Sequence, residues 1–200
     1  AISKPTHGEL FITWGHHNLW HGPISRSRLN SIDSKTPIVV WNRSFHEVCM
    51  NDAALELLEI KEADVANATQ IDFEKGRFYE IGLGYAIQKL NPYILAPEIF
   101  KEGLLKLKEV VHFGGQTTIA DMAVGLFDFE TELNTQVALY ENEDNPFRVE
   151  LIAHSTVMQK GNSIEQAEEL IAQLPERNSH RLNFGKILLV AAYCLPTITT

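Results

Sequence analysis

The chain has 200 residues, of which 44% are hydrophobic and 22% charged, so it contains enough apolar sequence for a globular domain with a sizeable core. Its formal net charge of −9 argues against nucleic acid as a primary partner, and no polybasic run indicates an anionic membrane. No apolar run is long enough to cross a bilayer. Cys49 and Cys194 fit no disulfide or metal-site spacing, so we expect reduced thiols in a cytoplasmic protein.

The first ninety residues are rich in β-strand patterns. Residues 10–14 and 37–41 have strand composition, and residues 25–31 favour a short helix between them. Residues 69–73 and 77–81 predict a hairpin around a Glu-Lys-Gly turn. We therefore expect residues 1–90 to form a β-rich segment with short helices.

A histidine and an asparagine five residues apart follow the strand at 37–41. Asn51 or Asp52 can cap the amphipathic helix that comes next. His46 and Asn51 would then flank a strand-to-helix junction, where side chains can converge on a pocket. A histidine satisfied within a hairpin is an equally good interpretation on local grounds.

The second half alternates between helix and strand patterns. Residues 82–90 favour a helix that ends before Asn91-Pro92, and residues 97–113 predict a longer one with Pro97 in its first turn. Helices at 126–140 and 163–174 then separate three strand patterns, at 116–122, 147–154 and 183–192. Such alternation implies parallel strands joined by right-handed crossovers. We expect the strand at residues 116–122 to be buried. The predicted fold is α/β, with residues 91–200 as a βα-repeat segment.

Several short motifs occur in the order found in one hydrolase family. The matching residues are Trp14-Gly15, Arg28-Leu29, Pro37, Arg43, His46, Asn51 and Leu55, followed by the run FGGQTTIADM at 113–122. In this ordered pattern the chain resembles the amidohydrolase-3 (YtcJ-like) family of metal-dependent hydrolases, near its exoenzyme-regulatory subgroup. The resemblance spans most of the chain, which would be about a third of a typical member.

The resemblance implies a fold and a chemistry. Members have a (β/α)₈ barrel that holds divalent metal, such as zinc, at the carboxyl ends of its strands, where it activates water to hydrolyse amide or related C–N bonds. For this chain it implies a partial (β/α) barrel with a β-rich inserted segment. A small-molecule substrate would contact His46 and Arg43, with Asn51 in support and Trp41 beside the cavity. Core packing is the alternative role for Trp14, Trp20 and Trp41.

The metal ligands that the resemblance requires are mostly missing from the sequence. No His-x-His pair occurs anywhere. The family's lysine position falls on Leu188, and Lys186 would reach it only after a shift of two residues. We therefore expect an incomplete, inactive relative that holds no zinc, for which a shortened or frameshifted reading frame is one explanation. His17 and His21 have a helical ligand spacing, but nearby Gly15, Gly22 and Pro23 disfavour a helix there.

Two other functions remain open. The chain could be a non-enzymatic binding or regulatory module that keeps a fragment of the fold. It could also be a small α/β enzyme that uses His46 with Asp121 and His154, two residues that end predicted strands. In the barrel interpretation, uncovered strand edges favour a homo-dimer.

Overall fold

The computed structural model describes residues 9–154 and 164–185. These residues form two compact units, and the chain passes from one to the other between Ile94 and Leu95. Unit 1 contains the described residues up to Ile94, and unit 2 contains those from Leu95 to Gly185. Lys186, and most of the third strand predicted at 183–192, lie outside the described residues.

Unit 1 is built around a mixed sheet of five strands in the order β1-β2-β3-β5-β4. The strands are β1 (Phe11–His16), β2 (Ile38–Asn42), β3 (Glu47–Met50), β4 (Ile71–Asp72) and β5 (Arg77–Tyr79). β1 and β2 are parallel, whereas the other neighbours are antiparallel. The structure confirms the predicted strands at residues 10–14 and 37–41 and the predicted hairpin near residue 75, with shifted ends. β3 was not predicted, and it turns the chain back along β2.

Short helices surround this sheet. They are α1 (Asn18–His21), α2 (Arg26–Ile32), α3 (Asp52–Leu57), α4 (Glu62–Val65) and α5 (Ile81–Ile94). The predicted end of α5 before Asn91 is wrong, because the helix continues to Ile94 with Pro92 inside it. Pro92 falls in the last turn, so the one helical hydrogen bond that its missing N–H removes lies at the end of the helix.

The central strands of unit 1 are buried on both faces. Val39, Val48 and Phe78 are fully buried, and Cys49 packs with Leu29 of α2. Burial raises the pKa of the Cys49 thiol to about 12. A thiol in this environment is a small core side chain rather than a nucleophile.

Unit 2 has a three-stranded parallel sheet in the order β6-β7-β8 within the described ranges. Its elements are α6 (Pro97–Phe113), β6 (Thr118–Val124), α7 (Phe129–Tyr140), β7 (Arg148–Ala153), α8 (Ile164–Gln173), a 3-10 helix (Leu174–Arg177) and β8 (Leu182–Phe184). The predicted parallel pairing of the three strand segments is confirmed. Alternation of strand and helix carried this information, because a crossover helix allows parallel neighbours.

The core of unit 2 lies on one face of its sheet. Val149 and Leu151 of β7 pack there with side chains from the helices, including Phe129, Leu133 and Ile171. On the other face Thr118, Ala120, Met122 and Arg148 are exposed, whereas Ile152 of β7 is buried. The prediction of a buried strand at 116–122 is therefore wrong, since only alternate residues of β6 turn toward the core.

A buried carboxylate organises the loop between β6 and α7. Glu132 is 5% exposed, and its two oxygens accept hydrogen bonds from the backbone N–H groups of Gly125, Phe127 and Asp128 at 2.7–2.8 Å. Burial raises the pKa of Glu132, while the three N–H donors act in the opposite direction. Gly125, at φ +91, makes the turn that lets the chain wrap around this side chain.

Replacing Glu132 with glutamine should destabilise unit 2 by about 2 kcal/mol, because an amide NH₂ would face one of three N–H donors that need an acceptor. Chemical denaturation followed by circular dichroism measures the loss. Glu130→Gln, on an exposed residue of the same helix turn, is the matched control and should leave the midpoint unchanged. Equal midpoints for both variants would show that these hydrogen bonds do not stabilise the loop.

Candidate functional site

The most chemically varied surface of unit 1 lies at the carboxyl ends of its parallel strands. The chain after β1 forms α1, and the chain after β2 makes the turn at residues 43–46 that leads into β3. The N–H of Arg43 donates to the carbonyl oxygen of His16 at 2.8 Å, which joins the two segments. Carboxyl ends of parallel strands are a common place for ligand binding, because the loops that follow them meet there.

Trp20 is the centre of a group of polar and aromatic side chains at this edge. The guanidinium carbon of Arg43 lies 4.6 Å from its ring centroid, and the His17 ring lies 4.7 Å from it. The rings of His16 and His21 are 5.6 Å apart, and His21 meets Trp20 edge-on at 6.4 Å. We call these residues the edge cluster: His16, His17, Trp20, His21 and Arg43.

Local hydrogen bonds fix the histidines of the edge cluster. Nδ1 of His17 accepts from the N–H of Leu19 at 3.2 Å and caps α1. Nδ1 of His21 accepts from the N–H of His17 at 3.0 Å. Nε2 of His16 lies 3.1 Å from the carbonyl oxygen of Gly22. The glycines were expected to disfavour a helix here, and only one turn forms: α1 lies between Gly15 and Gly22, both at positive φ, with His17 as its N-cap.

His46 pairs with a carboxylate that the sequence did not single out. Its Nδ1 lies 3.3 Å from Oε2 of Glu80, and its carbonyl accepts from the Glu80 N–H at 3.1 Å. Both side chains are partly exposed, at 45% and 39%. Glu80 and Phe45 have positive φ, a conformation that is unfavourable for residues with a side chain. These two residues lie in the turns that bring His46 and Glu80 together. No local sequence pattern marks Glu80, because its partner lies 34 residues earlier in the chain.

The three tryptophans have different environments. Trp41 is 2% exposed, donates its indole N–H to the Phe45 carbonyl at 3.3 Å and stacks on the Phe45 ring. Trp14 and Trp20 are 63% and 65% exposed, so core packing, the alternative considered for all three, is correct for Trp41 alone. An exposed indole in a small domain is available to a ligand or a partner.

Asn51 uses its whole side chain within unit 1. Its oxygen accepts from the N–H groups of Ile38 and Ala54, both at 2.9 Å, and its NH₂ donates to the carbonyls of Asp33 and Thr36 at 3.0 and 2.8 Å. The residue is fully buried. Asn51 thus caps α3 as the sequence predicted, and it also holds the start of β2.

His46 and Asn51 do not converge on one pocket as their spacing suggested. Residues 47–50 form the extended strand β3, so His46 and Asn51, five residues apart, are separated by about 16 Å. His46 lies at the exposed turn with Arg43, whereas Asn51 lies at the buried end. The fold therefore brings His46 and Arg43 to one edge, with Trp41 beneath the turn and Asn51 elsewhere.

The second-half candidates do not form a comparable site. Asp121 does not end its strand, since β6 continues to Val124. Its carboxylate accepts from Nε2 of Gln136 at 2.8 Å, on the face of the sheet that packs against α7. His154 follows β7 and is 4% exposed, and burial lowers its pKa. In the described ranges, no group of three His, Cys, Asp or Glu side chains is arranged to hold a metal ion.

Comparisons with known proteins place the fold, and only the fold. No protein-family model matches the sequence, and no curated protein matches it. Two solved structures of uncharacterised metal-dependent hydrolases are similar. The one from Pyrococcus horikoshii OT3 is 19% identical with a TM-score of 0.56, and the one from Pyrococcus furiosus is 21% identical with a TM-score of 0.54. The similarity covers 88% of this chain but only 33% and 34% of theirs, so the chain spans about a third of their length.

These neighbours show that the chain shares its fold with about a third of two larger proteins. The described part of unit 2 contributes three adjacent parallel strands with helices between them. No helix in the part of the chain that the structure describes has the length and apolar character to cross a membrane.

Asn51→Asp should lower the stability of unit 1 by about 3 kcal/mol, because a buried carboxylate would face two carbonyl oxygens that now accept from the amide. Urea denaturation followed by tryptophan fluorescence measures the loss, since all three tryptophans lie in unit 1. Asn67→Asp, at an exposed asparagine of the same unit, is the control and should change the midpoint little. A variant at position 51 as stable as the control would mean that the amide donors are dispensable.

Proposed function

We propose that this chain is the substrate-recognition portion of an amidohydrolase-like protein, related to the amidohydrolase-3 family and to hydrolases of amide or similar C–N bonds. The observation that carries the proposal is the position of Arg43 and His46 together at the carboxyl edge of β1 and β2. The ordered sequence motifs and the fold shared with metal-dependent hydrolases support the same function.

The roles of the site residues follow from where they lie. Arg43 and His46 are exposed and can contact a small-molecule substrate. Trp41 supports the turn through its bond to Phe45, and Asn51 positions the elements at the other end of β3. In this proposal Asn51 and Trp41 act through the fold, and the direct contacts come from the turn at residues 43–46.

A catalytic metal does not fit the described side chains. Zinc in a hydrolytic site needs about three protein ligands and an open position for water. The edge cluster is the densest group of histidines in the described ranges, but no three of its side chains are arranged to hold a metal ion. We therefore derive no catalytic step for the described residues and propose that they bind substrate without hydrolysing it. Lys186 remains a candidate ligand from the sequence alone.

The second candidate function is a binding or regulatory module in the cytoplasm. A specific observation favours it: the polar groups at the carboxyl edge are arranged for contact, while the potential catalytic groups Asp121 and Glu132 are committed to hydrogen bonds within unit 2. Such a module would recognise the same kind of small molecule as the hydrolase without converting it.

We expect the purified 200-residue chain to hold no stoichiometric zinc and to show no amide hydrolysis above background. Elemental analysis and a zinc titration of the thermal midpoint test this, since a metal stabilises a protein only by binding its native state. A metal-dependent aminoacylase of known activity, assayed alongside, controls for substrate and buffer. About one tightly held metal per chain, lost in Lys186→Ala or His46→Ala, would make the chain itself a metal enzyme.

We also propose that the chain forms a homo-dimer through the exposed face of the unit 2 sheet. That face carries Thr118, Ala120 and Met122, the last 46% exposed, and its strands have unpaired edges in the described part of the sheet. A second copy related by a two-fold axis would cover the face with identical residues.

Sedimentation at micromolar concentration should therefore show a dimer, and Met122→Glu should shift it to monomer by placing like charges across the axis. Leu105→Glu, at a residue of α6 with similar exposure, is the control and should leave the dimer intact. A monomeric wild-type chain would exclude this assembly.

A further inference from the structure

Three arginines of unit 1 lie over aromatic rings. Arg26 lies over Phe73 at 4.9 Å, Arg77 over Tyr79 at 4.6 Å, and Arg43 over Trp20 at 4.6 Å. Stacking holds a guanidinium plane still and leaves its N–H edge free to donate, which suits planar two-point recognition of a carboxylate.

The first two stacked arginines each bind a carboxylate from the chain. Arg77 donates to both oxygens of Glu47, with Nε–Oε1 and Nη2–Oε2 distances of 2.7 Å, and Arg26 pairs with Asp52. Arg43 has the same stacking, but among the described residues its guanidinium makes no hydrogen bond or ion pair. The chain therefore repeats one arrangement three times and supplies the acid in two of them.

We propose that Arg43 and Trp20 form a subsite for the carboxylate of a small-molecule ligand, in the position that Glu47 takes at Arg77. This inference rests on the proposed function and deepens it, because it names one chemical feature of the substrate, a free carboxylate. The exposed rings of Trp20 and Trp14 offer apolar surface for the rest of such a molecule.

The surroundings of the subsite agree with an anionic ligand. His17 and His21 lie against the same indole as Arg43, so the groups around Trp20 are neutral or cationic. The carboxylate of Glu80 is paired with His46, at the other end of the same turn. On a chain with a net charge of −9, an arginine grouped with histidines is a local position that favours an anion.

The test compares two ligands that differ only in charge. Isothermal titration calorimetry of the full chain with N-acetylphenylalanine should show binding about tenfold tighter than with N-acetylphenylalanine amide, because only the acid completes the guanidinium pair. Arg43→Lys, which keeps the charge but loses the planar fork, should weaken binding of the acid about fivefold or more and leave the amide unchanged. Circular dichroism checks that this surface variant is folded.

The control variant is Arg177→Lys, since Arg177 lies 5.7 Å from the Phe184 ring in unit 2 and belongs to no site. It should bind the acid as the wild type does. Equal affinity for acid and amide, an equal loss in both variants, or competition by inorganic phosphate at the same affinity would each overturn the carboxylate subsite. The assay needs neither metal nor turnover, so the absence of hydrolysis and the absence of carboxylate binding are separate results.

Discussion

The four hydrogen bonds of the Asn51 side chain are the constraint on which unit 1 depends. They join the loop at residues 33–36, the first residue of β2 and the first turn of α3 around one buried amide. Because β3 ends at this amide and begins at the 43–46 turn, its register with β2 is fixed at one end by Asn51. The position of the exposed turn at the other end of β3, with Arg43 and His46, therefore depends on the buried Asn51 side chain. A buried polar group with every partner satisfied specifies one arrangement, whereas an apolar residue would allow several.

The single parallel pair of the unit 1 sheet determines where chemistry can occur. Antiparallel strands place successive turns at opposite edges, but β1 and β2 run together and so direct two loops to the same edge. The hydrogen bond from Arg43 to His16 closes the gap between those loops, and the Trp20 ring then meets the guanidinium. Neither loop alone contains this combination of groups, which is why the site depends on the topology rather than on a motif.

Much of the fold could be predicted from the sequence, because periodicity reports which side of an element is buried. The helix at Pro97–Phe113 and the parallel order of β6, β7 and β8 follow from patterns within a few residues. The exposure of alternate β6 residues could not be predicted, since it depends on what packs against each face of the sheet. The site was harder to predict: the pairing of His46 with Glu80 joins residues 34 positions apart, and the stacking of Arg43 on Trp20 depends on a crossover.

In both units a buried polar side chain fixes a loop next to a parallel strand. In unit 2 the carboxylate of Glu132 gathers three backbone N–H groups after β6, and in unit 1 the amide of Asn51 gathers donors and acceptors around β2. The difference lies in what remains free. Around Glu132 the polar groups hydrogen-bond to one another within the loop. The hydrogen bonds of Asn51 lie at the far end of β3 and do not involve Arg43. The guanidinium of Arg43 is already held over Trp20, so little conformational entropy would be lost when an anion binds there. This arrangement supports the proposal that the described side chains bind a ligand.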